Sequence, residues 1–251
     1  MNESLRQKAV QITFLAVVGI GWQFAVKRHA VNPLILPSLG AIGSRFVTIF
    51  ADGTVWPAVG VTLGEFLAAF ITAVVSGTVI GYAISRSAFS VTVFDPLLAA
   101  LYAVPTILLF PLYLLFFGIG TPSKIALGTT MAFFPIVLST IAGFSQVNRV
   151  HIAAARSMGA SAPQLFWHVL LPEAFPVVIA GLRMGLVLGF LAILGGETIT
   201  SNGGLGHQIV TMAESLEPAK MFAYIVVAVA VATALNALTS YVELRGRGDL
   251  T

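Results

Sequence analysis

Three ionisable side chains stand inside or at the edge of long apolar runs: Glu65, Arg183 and Glu197. A charge near the centre of a bilayer costs at least about 2.5–3.5 kcal/mol, so each of them needs a reason. An arginine and carboxylates among apolar helices are the chemistry of a polar path or gate for a charged solute, and Arg183 is compatible with an anion. The other reading is that each charge is satisfied by a neighbouring helix. Glu65 lies about two turns into its run, near an interface. Arg183 lies 11 positions beyond Pro172, so its side chain is not assured of reaching the near surface. Glu197 lies 14 residues beyond Arg183, about 21 Å along a helix, so the two are not an ion pair within one helix.

Other chemistries find no support. His29, His151, His168 and His207 lack metal-ligand spacing such as HExxH, and with no cysteine there is neither a thiolate site nor a disulfide framework. No metal is expected. The stretch Gly203-Gly204-Leu205-Gly206 has no following lysine and no strand-to-helix context, so it reads as a turn or a re-entrant bend rather than a phosphate loop. Ser201 and His207 have no G-x-S-x-G elbow and no third orienting residue, which argues against a hydrolase. The chain carries no P-loop and is not expected to hydrolyse ATP. Its 13 Lys and Arg are scattered and the net charge is only +3, so nucleic acid is not an expected partner.

The elements that must position these residues are membrane helices. Of 251 residues 57% are hydrophobic and 9% charged, against roughly 25% charged in soluble domains, and the mean hydropathy is +0.95. A bilayer core needs about 20 apolar helical residues. Six stretches approach that length: 9–26, 59–85, 96–117, 125–144, 175–195 and 221–241. Backbone groups in lipid must be satisfied internally, so the expected fold is an all-α six-transmembrane-helix bundle, a single membrane domain over 1–251. The first span reads as retained, with no small-residue cleavage pattern before Lys27.

Residues 42–50 suggest a surface-lying amphipathic piece. The short connections 86–95 and 118–124 predict that consecutive spans pack as antiparallel neighbours. Pro105, Pro111 and Pro135 predict kinks, which either shape a pathway or are ordinary membrane-helix bends. Small residues four apart, Gly60 with Gly64, Gly77 with Gly81, and Gly181 with Gly185 and Gly189, fit either bundle packing or a subunit contact. One side carries Arg6, Lys8, Arg86, Arg149, Arg156, Arg245 and Arg247; the other carries Lys27, Arg28, Arg45, Lys124 and Lys220. That excess favours cytoplasmic termini.

Between the fourth and fifth spans lies a semi-polar island, 149–172. Ala153, Ala154 and Ala155 are strong helix formers, and Gly159 is a natural helix end. Ser161 then caps a second helix with Pro163 in its first turn and Gln164 placed as in a capping box. Leu165, Phe166, Trp167, Val169 and Leu170 follow, and Pro172 is expected to stop that helix before the fifth span.

This run, AAARSMGASAPQLFWHVLLP, resembles the EAA loop of ABC-importer permeases: EAA, three residues, Gly, nine residues, Ile, one residue, Leu-Pro. Ala153, Ala154 and Ala155 take the first three places, Gly159 the glycine, Val169 the isoleucine, and Leu171-Pro172 the ending. Ala153 stands where the family has its acid. Further stretches resemble the nitrate, sulfonate, taurine and bicarbonate branch: Leu36-Pro37-Ser38, Asp95-Pro96-Leu97, Pro105 with Pro111, Phe117-Gly118-Ile119-Gly120, Gly181-Leu182-Arg183, and Glu197 followed by Gly204-Leu205-Gly206. Glu65 departs from that branch, which more often carries a basic residue there.

The resemblance implies the permease subunit of a bacterial ABC importer for a small anion, in the inner membrane with both termini cytoplasmic. It implies a second permease copy in a homodimer, two cytoplasmic ATPase subunits and a periplasmic substrate-binding protein. ATP and Mg would sit in the ATPase, and no cofactor in this chain. The residues meeting the ATPase would be Ala153, Ala154, Ala155, Gly159, Leu165, Phe166, Trp167, Leu171 and Pro172, with docking through shape at Leu165, Phe166 and Trp167 in place of the missing acid. Glu65, Arg183 and Glu197 would belong to the pathway or its gate. A stand-alone ion-coupled transporter using Arg183 and Glu197 is the alternative.

Overall fold

A computed structural model describes residues 3–28 and 30–248. His29 lies outside the described residues, as do the side chains of Lys8, Arg245 and Arg247. The helices are α1 (Glu3–Lys27), α2 (Leu39–Ala51), α3 (Val55–Ser85), α4 (Ala88–Tyr102), α5 (Phe110–Phe117), α6 (Thr121–Ser145), α7 (Arg149–Ser157), α8 (Ala162–Leu165), α9 (Leu171–Ile199), α10 (Leu205–Glu214) and α11 (Pro218–Gly248). Five helical stretches are long and apolar enough to cross a bilayer, and the bent α4/α5 pair makes the sixth span.

The bundle is built around α6, which is gripped from two sides by glycines. Gly77 and Gly81 of α3 lie against Ile136 and Thr140, while Gly181, Gly185 and Gly189 of α9 lie against Ser139, Ile136 and Ala132. Without side chains at these positions the backbones approach closely, the main packing mechanism in lipid, where helices gain little from hydrophobic burial. Leu127, Ala132, Ile136, Val137 and Ile141 of α6 are fully buried as a result. Gly60 and Gly64 face open space and take no part. A Cβ at Gly185 would stand 2.8 Å from Ile136 Cδ1 and 2.9 Å from the Ala132 carbonyl oxygen. Gly185→Ala is therefore expected to lower stability by about 1–3 kcal/mol, the usual range for overpacking, read as a lower melting temperature of the purified protein. Gly64→Ala, in open space, should leave it unmoved.

The pairings also correct the expected neighbour order. Contacts advance together along α3 and α6, from Ala69 with Gly128 to Gly81 with Thr140, so these two run parallel; α9 runs antiparallel to α6. The third span is pushed aside and broken. No residue of α4 is buried, and its axis meets the following helix at 78°. Pro105 supplies no N–H and disfavours helical geometry at Val104, so the chain leaves α4 at Ala103 and restarts through a 3₁₀ turn at Thr106–Leu109. Pro111 falls in the first turn of α5, where its missing donor is not needed, and α6 continues through Pro135.

Pro172 does not end a helix, contrary to expectation. α8 passes through a π turn, Phe166–Leu170, directly into α9, giving one apolar stretch, Ala162–Ile199, of 38 residues and about 57 Å. The Leu171 N–H bonds to Phe166 O, so the hydrogen-bond ladder is already shifted before it reaches the proline. The π turn accommodates the donor that Pro172 lacks.

At the end where α3 begins, Ser38 caps α2 by accepting from Ala41 N at 3.2 Å, Ile42 and Ile49 are buried, and Ile49 points into a second core. That core joins Ile49, Val55, Ala58, Leu205, Tyr224 and Val227. The far end of α1 is pinned by Trp22, whose Nε1 donates to Pro37 O at 2.9 Å and whose ring meets Phe222 edge-on. Among the described side chains of α1, none over Ala9–Lys27 is buried.

Candidate functional site

Two groups of residues stand out, one at each end of the bundle. The first is the 149–172 loop. Asn148 starts α7 by accepting from Val150 N at 2.9 Å, and Glu173 holds the start from the other side, accepting from Asn148 N at 2.9 Å with its second oxygen 3.1 Å from His151 Nδ1. Gly159 closes α7 with φ +81°, a left-handed conformation that glycine adopts freely, and the Ala160 N–H bonds back to Ala155 O. Gln164 Oε1 accepts from Ser161 N at 2.8 Å, the expected capping-box bond.

The side chains of this loop divide by exposure. Ala155 and Leu165 are buried, and Phe166 sits against Tyr82 and Phe144 with ring centroids 5.2 and 6.0 Å apart. Ala153, Ala154, Gly159, Met158 and Trp167 are exposed, the last at 63%, while Leu171 and Pro172 are half-buried. Leu165 and Phe166 therefore mount the loop on α3 and α6, and Trp167 with Met158 forms its outer apolar surface.

The second group is a buried polar cluster at the opposite end, where α3 and α6 begin and α9 ends. Lys124, in the first turn of α6, has its Nζ 2.5 Å from Glu65 Oε1 and 2.9 Å from Ser201 Oγ. Thr121 donates to the same Glu65 oxygen at 2.8 Å. Glu197 accepts from Thr62 Oγ1 at 2.8 Å and from Gly206 N at 2.7 Å, and Thr62 Oγ1 in turn accepts from Leu205 N at 2.8 Å. Glu197 thus caps α10, a carboxylate at the positive end of a helix. Lys124, Glu65 and Glu197 are 2%, 4% and 1% exposed, so Lys124 and Glu65 hold each other, and Thr62 and the Gly206 N–H hold Glu197, in place of water. Glu65 Oε2 has no partner among the described residues.

This cluster explains the Gly-rich stretch. Gly204 has φ +102°, and a Cβ there would overlap the Glu197 carboxylate; a Cβ at Gly206 would meet Leu194 O and Glu197 Cβ. The glycines clear the space in which Glu197 reaches the start of α10, so the stretch is a turn with no phosphate-loop role.

Of the ionisable residues singled out in the sequence, Glu65 and Glu197 come together and Arg183 does not. Arg183, half-buried, donates from Nε to Asn236 Oδ1 on α11 at 2.9 Å, beside an apolar crevice of about 290 Å³ between α3, α9 and α11. Lys124 was not foreseen. It reads as a loop cation after GIGTPS, yet Pro122 in the first turn already starts the helix, which turns Lys124 inward at the depth of Glu197. Lys124 accordingly leaves the count of surface cations on that side. Thr62 and Ser201 carry no sequence signal of their own.

Residues 73–247 match the family described as binding-protein-dependent transport system inner membrane component. The chain belongs to this family. Among relatives, the taurine transport system permease protein TauC of Escherichia coli (strain K12) is 34% identical over 84% of this chain and 78% of its own length. The putative aliphatic sulfonates transport permease protein SsuC of the same strain is 31% identical over 78% of this chain and 74% of its own. In fold, this permease is similar to a chain of the MetNI methionine ABC transporter in an inward-facing conformation, with a TM-score of 0.61 at 20% identity, covering 76% of this chain and 94% of that one. The protein is a multi-pass inner-membrane permease subunit of an ABC importer, and ATP hydrolysis belongs to a separate subunit. Its partners are an ATPase and a substrate-binding protein.

Proposed function

We propose that this permease imports a small anion, with an organosulfonate as the first class to test and nitrate, bicarbonate or an organic carboxylate next. Two relatives named for taurine and for aliphatic sulfonates support that reading, as does an arginine within the fifth span. The 251 residues act as one permease domain. Two copies form the pathway; the uncovered apolar faces of α1, α4 and α5 suit a second copy, since large exposed apolar areas mark contacts or lipid. Each copy receives one of two cytoplasmic ATPase subunits, which hold ATP and Mg, at its 149–172 loop, and a periplasmic binding protein delivers substrate at the Glu65–Lys124–Glu197 end. Both termini are then cytoplasmic.

The carrying observation is the 149–172 loop: a capped helix, a left-handed Gly159 turn and a second helix that runs unbroken for about 57 Å to the polar cluster. Ala153, Ala154, Gly159, Met158 and Trp167 supply the outer face of the ATPase contact, Ala155, Leu165 and Phe166 its footing, and Leu171 and Pro172 the joint. Glu65 and Glu197 hold the outer end of the path, and Arg183 stands along it.

Reconstitution tests this directly. Liposomes holding the chain with its ATPase and binding protein are expected to accumulate taurine or a short alkanesulfonate only when ATP is supplied on the ATPase side. Uptake driven by an ion gradient in liposomes holding the chain alone would overturn the proposal.

A further inference from the structure

Between the end of α3 and the 149–172 loop lies a cavity of about 340 Å³ with two arginines in its wall, Arg86 and Arg156. Tyr82, Phe144, Leu165 and Leu170 complete its apolar floor, and no Asp or Glu lines it. Neither guanidinium has a hydrogen-bond or carboxylate partner among the described residues. Glu173, in the first turn of α9, is engaged with Asn148 and His151. Each arginine stands at a helix C-terminus, where a cation is favoured locally. The two helices come from distant parts of the chain, however, and converge on one cavity, placing two unopposed positive charges together.

The depth of this cavity says what can reach it. Arg86 is the first residue after α3, Tyr82 lies in its last turn, and Phe144 lies in the last turn of α6. The floor therefore belongs to the ends of two spans and the mouth lies just beyond them, at the level of lipid headgroups, where aromatic side chains also collect. Guanidinium groups bind phosphate oxygens through paired hydrogen bonds, and basic pockets at this level recognise anionic headgroups.

We propose that this cavity binds the phosphate headgroup of an anionic phospholipid, held by Arg86 and Arg156, with its glycerol and first methylenes against Tyr82, Phe144 and Leu170. Because Leu165 precedes and Leu170 ends the π turn that carries the loop into α9, the bound lipid buttresses the loop at its footing. The choice of leaflet rests on the orientation given under the proposed function; the binding itself does not.

The test is a titration of the intact chain by native mass spectrometry, released from detergent micelles after addition of phosphatidylglycerol, phosphatidylcholine or inorganic phosphate. Phosphatidylglycerol is expected to bind more tightly than phosphatidylcholine. In Arg86→Gln/Arg156→Gln its affinity should fall about 30-fold, the effect of two cations at about 1 kcal/mol each near an anionic surface, with phosphatidylcholine unchanged. Arg6→Gln, a charge removed at the same end but outside the cavity, should bind as the wild type does. No preference for phosphatidylglycerol, or an equal loss in Arg6→Gln, would overturn the proposal. Displacement of the lipid by millimolar inorganic phosphate would overturn the lipid source in favour of a soluble anion. Lost ATPase assembly with unchanged lipid binding in the double variant would reassign the arginines to the partner subunit.

Discussion

Lys124→Met is expected to destabilise the permease by about 3–5 kcal/mol, the loss found when one partner of a buried ion pair is removed and the other is left uncompensated. Glu65 is 4% exposed and would keep only Thr121 as a donor, with Oε2 already lacking one. Ser201 would lose its bond to Nζ as well, freeing the turn that leads into α10. The double variant Lys124→Met/Glu65→Met should recover most of the stability, because replacing both charges by apolar groups of similar size is often neutral. Thermal unfolding of the purified proteins separates the cases. A melting temperature for the single variant equal to that of the wild type would show that the pair holds nothing together. ATP-driven uptake is a second readout: the double variant restores the fold yet lacks the charges that tie α3, α6 and the α9–α10 turn, so recovered stability without recovered uptake would assign the cluster to transport.

Gly159→Val is expected to leave the bundle intact while lowering ATP-dependent uptake about tenfold. A Cβ added at Gly159 meets nothing within 4 Å, so the effect expected is conformational. At φ +81° a side-chain-bearing residue is disfavoured by about 1–2 kcal/mol, more for a β-branched one, and about 1.4 kcal/mol is a factor of ten in the equilibrium between the native turn and its alternatives. The turn aims α7 relative to the helix beginning at Ala162, so relaxing it misdirects the ATPase contact. Gly159→Asn, which tolerates the left-handed region, should retain most activity. Full uptake by the valine variant, measured beside unchanged melting, would remove the loop from the coupling path.

Much of the loop was legible because its signals are local. Gly159 as helix end and the Ser161–Gln164 pair act over a few residues, and each forms as its chemistry predicts. The stop at Pro172 was misread for the same reason: a proline announces a lost hydrogen bond, while the π turn that absorbs it depends on how Phe166 is seated against Tyr82 and Phe144. The resemblance names Leu165, Phe166 and Trp167 together as docking groups, and their exposure differs. Leu165 is buried, Phe166 packs against Tyr82 of α3 and Phe144 of α6, and Trp167 faces outward.

The amino-acid sequence by itself determined that this is a membrane bundle of six apolar spans with a capped helix–turn–helix between the fourth and fifth, because span length, capping and turn chemistry are written in neighbouring residues. Only the tertiary structure decided that Lys124 pairs with Glu65 and that Glu197 is held by Thr62 and the Gly206 N–H in the same cluster, while Arg183 faces Asn236. Which charges meet depends on the rotation and depth of each helix, and these follow from the glycine faces of α3 and α9 closing on α6. No local pattern carries that information, since it arises from contacts between residues more than fifty positions apart.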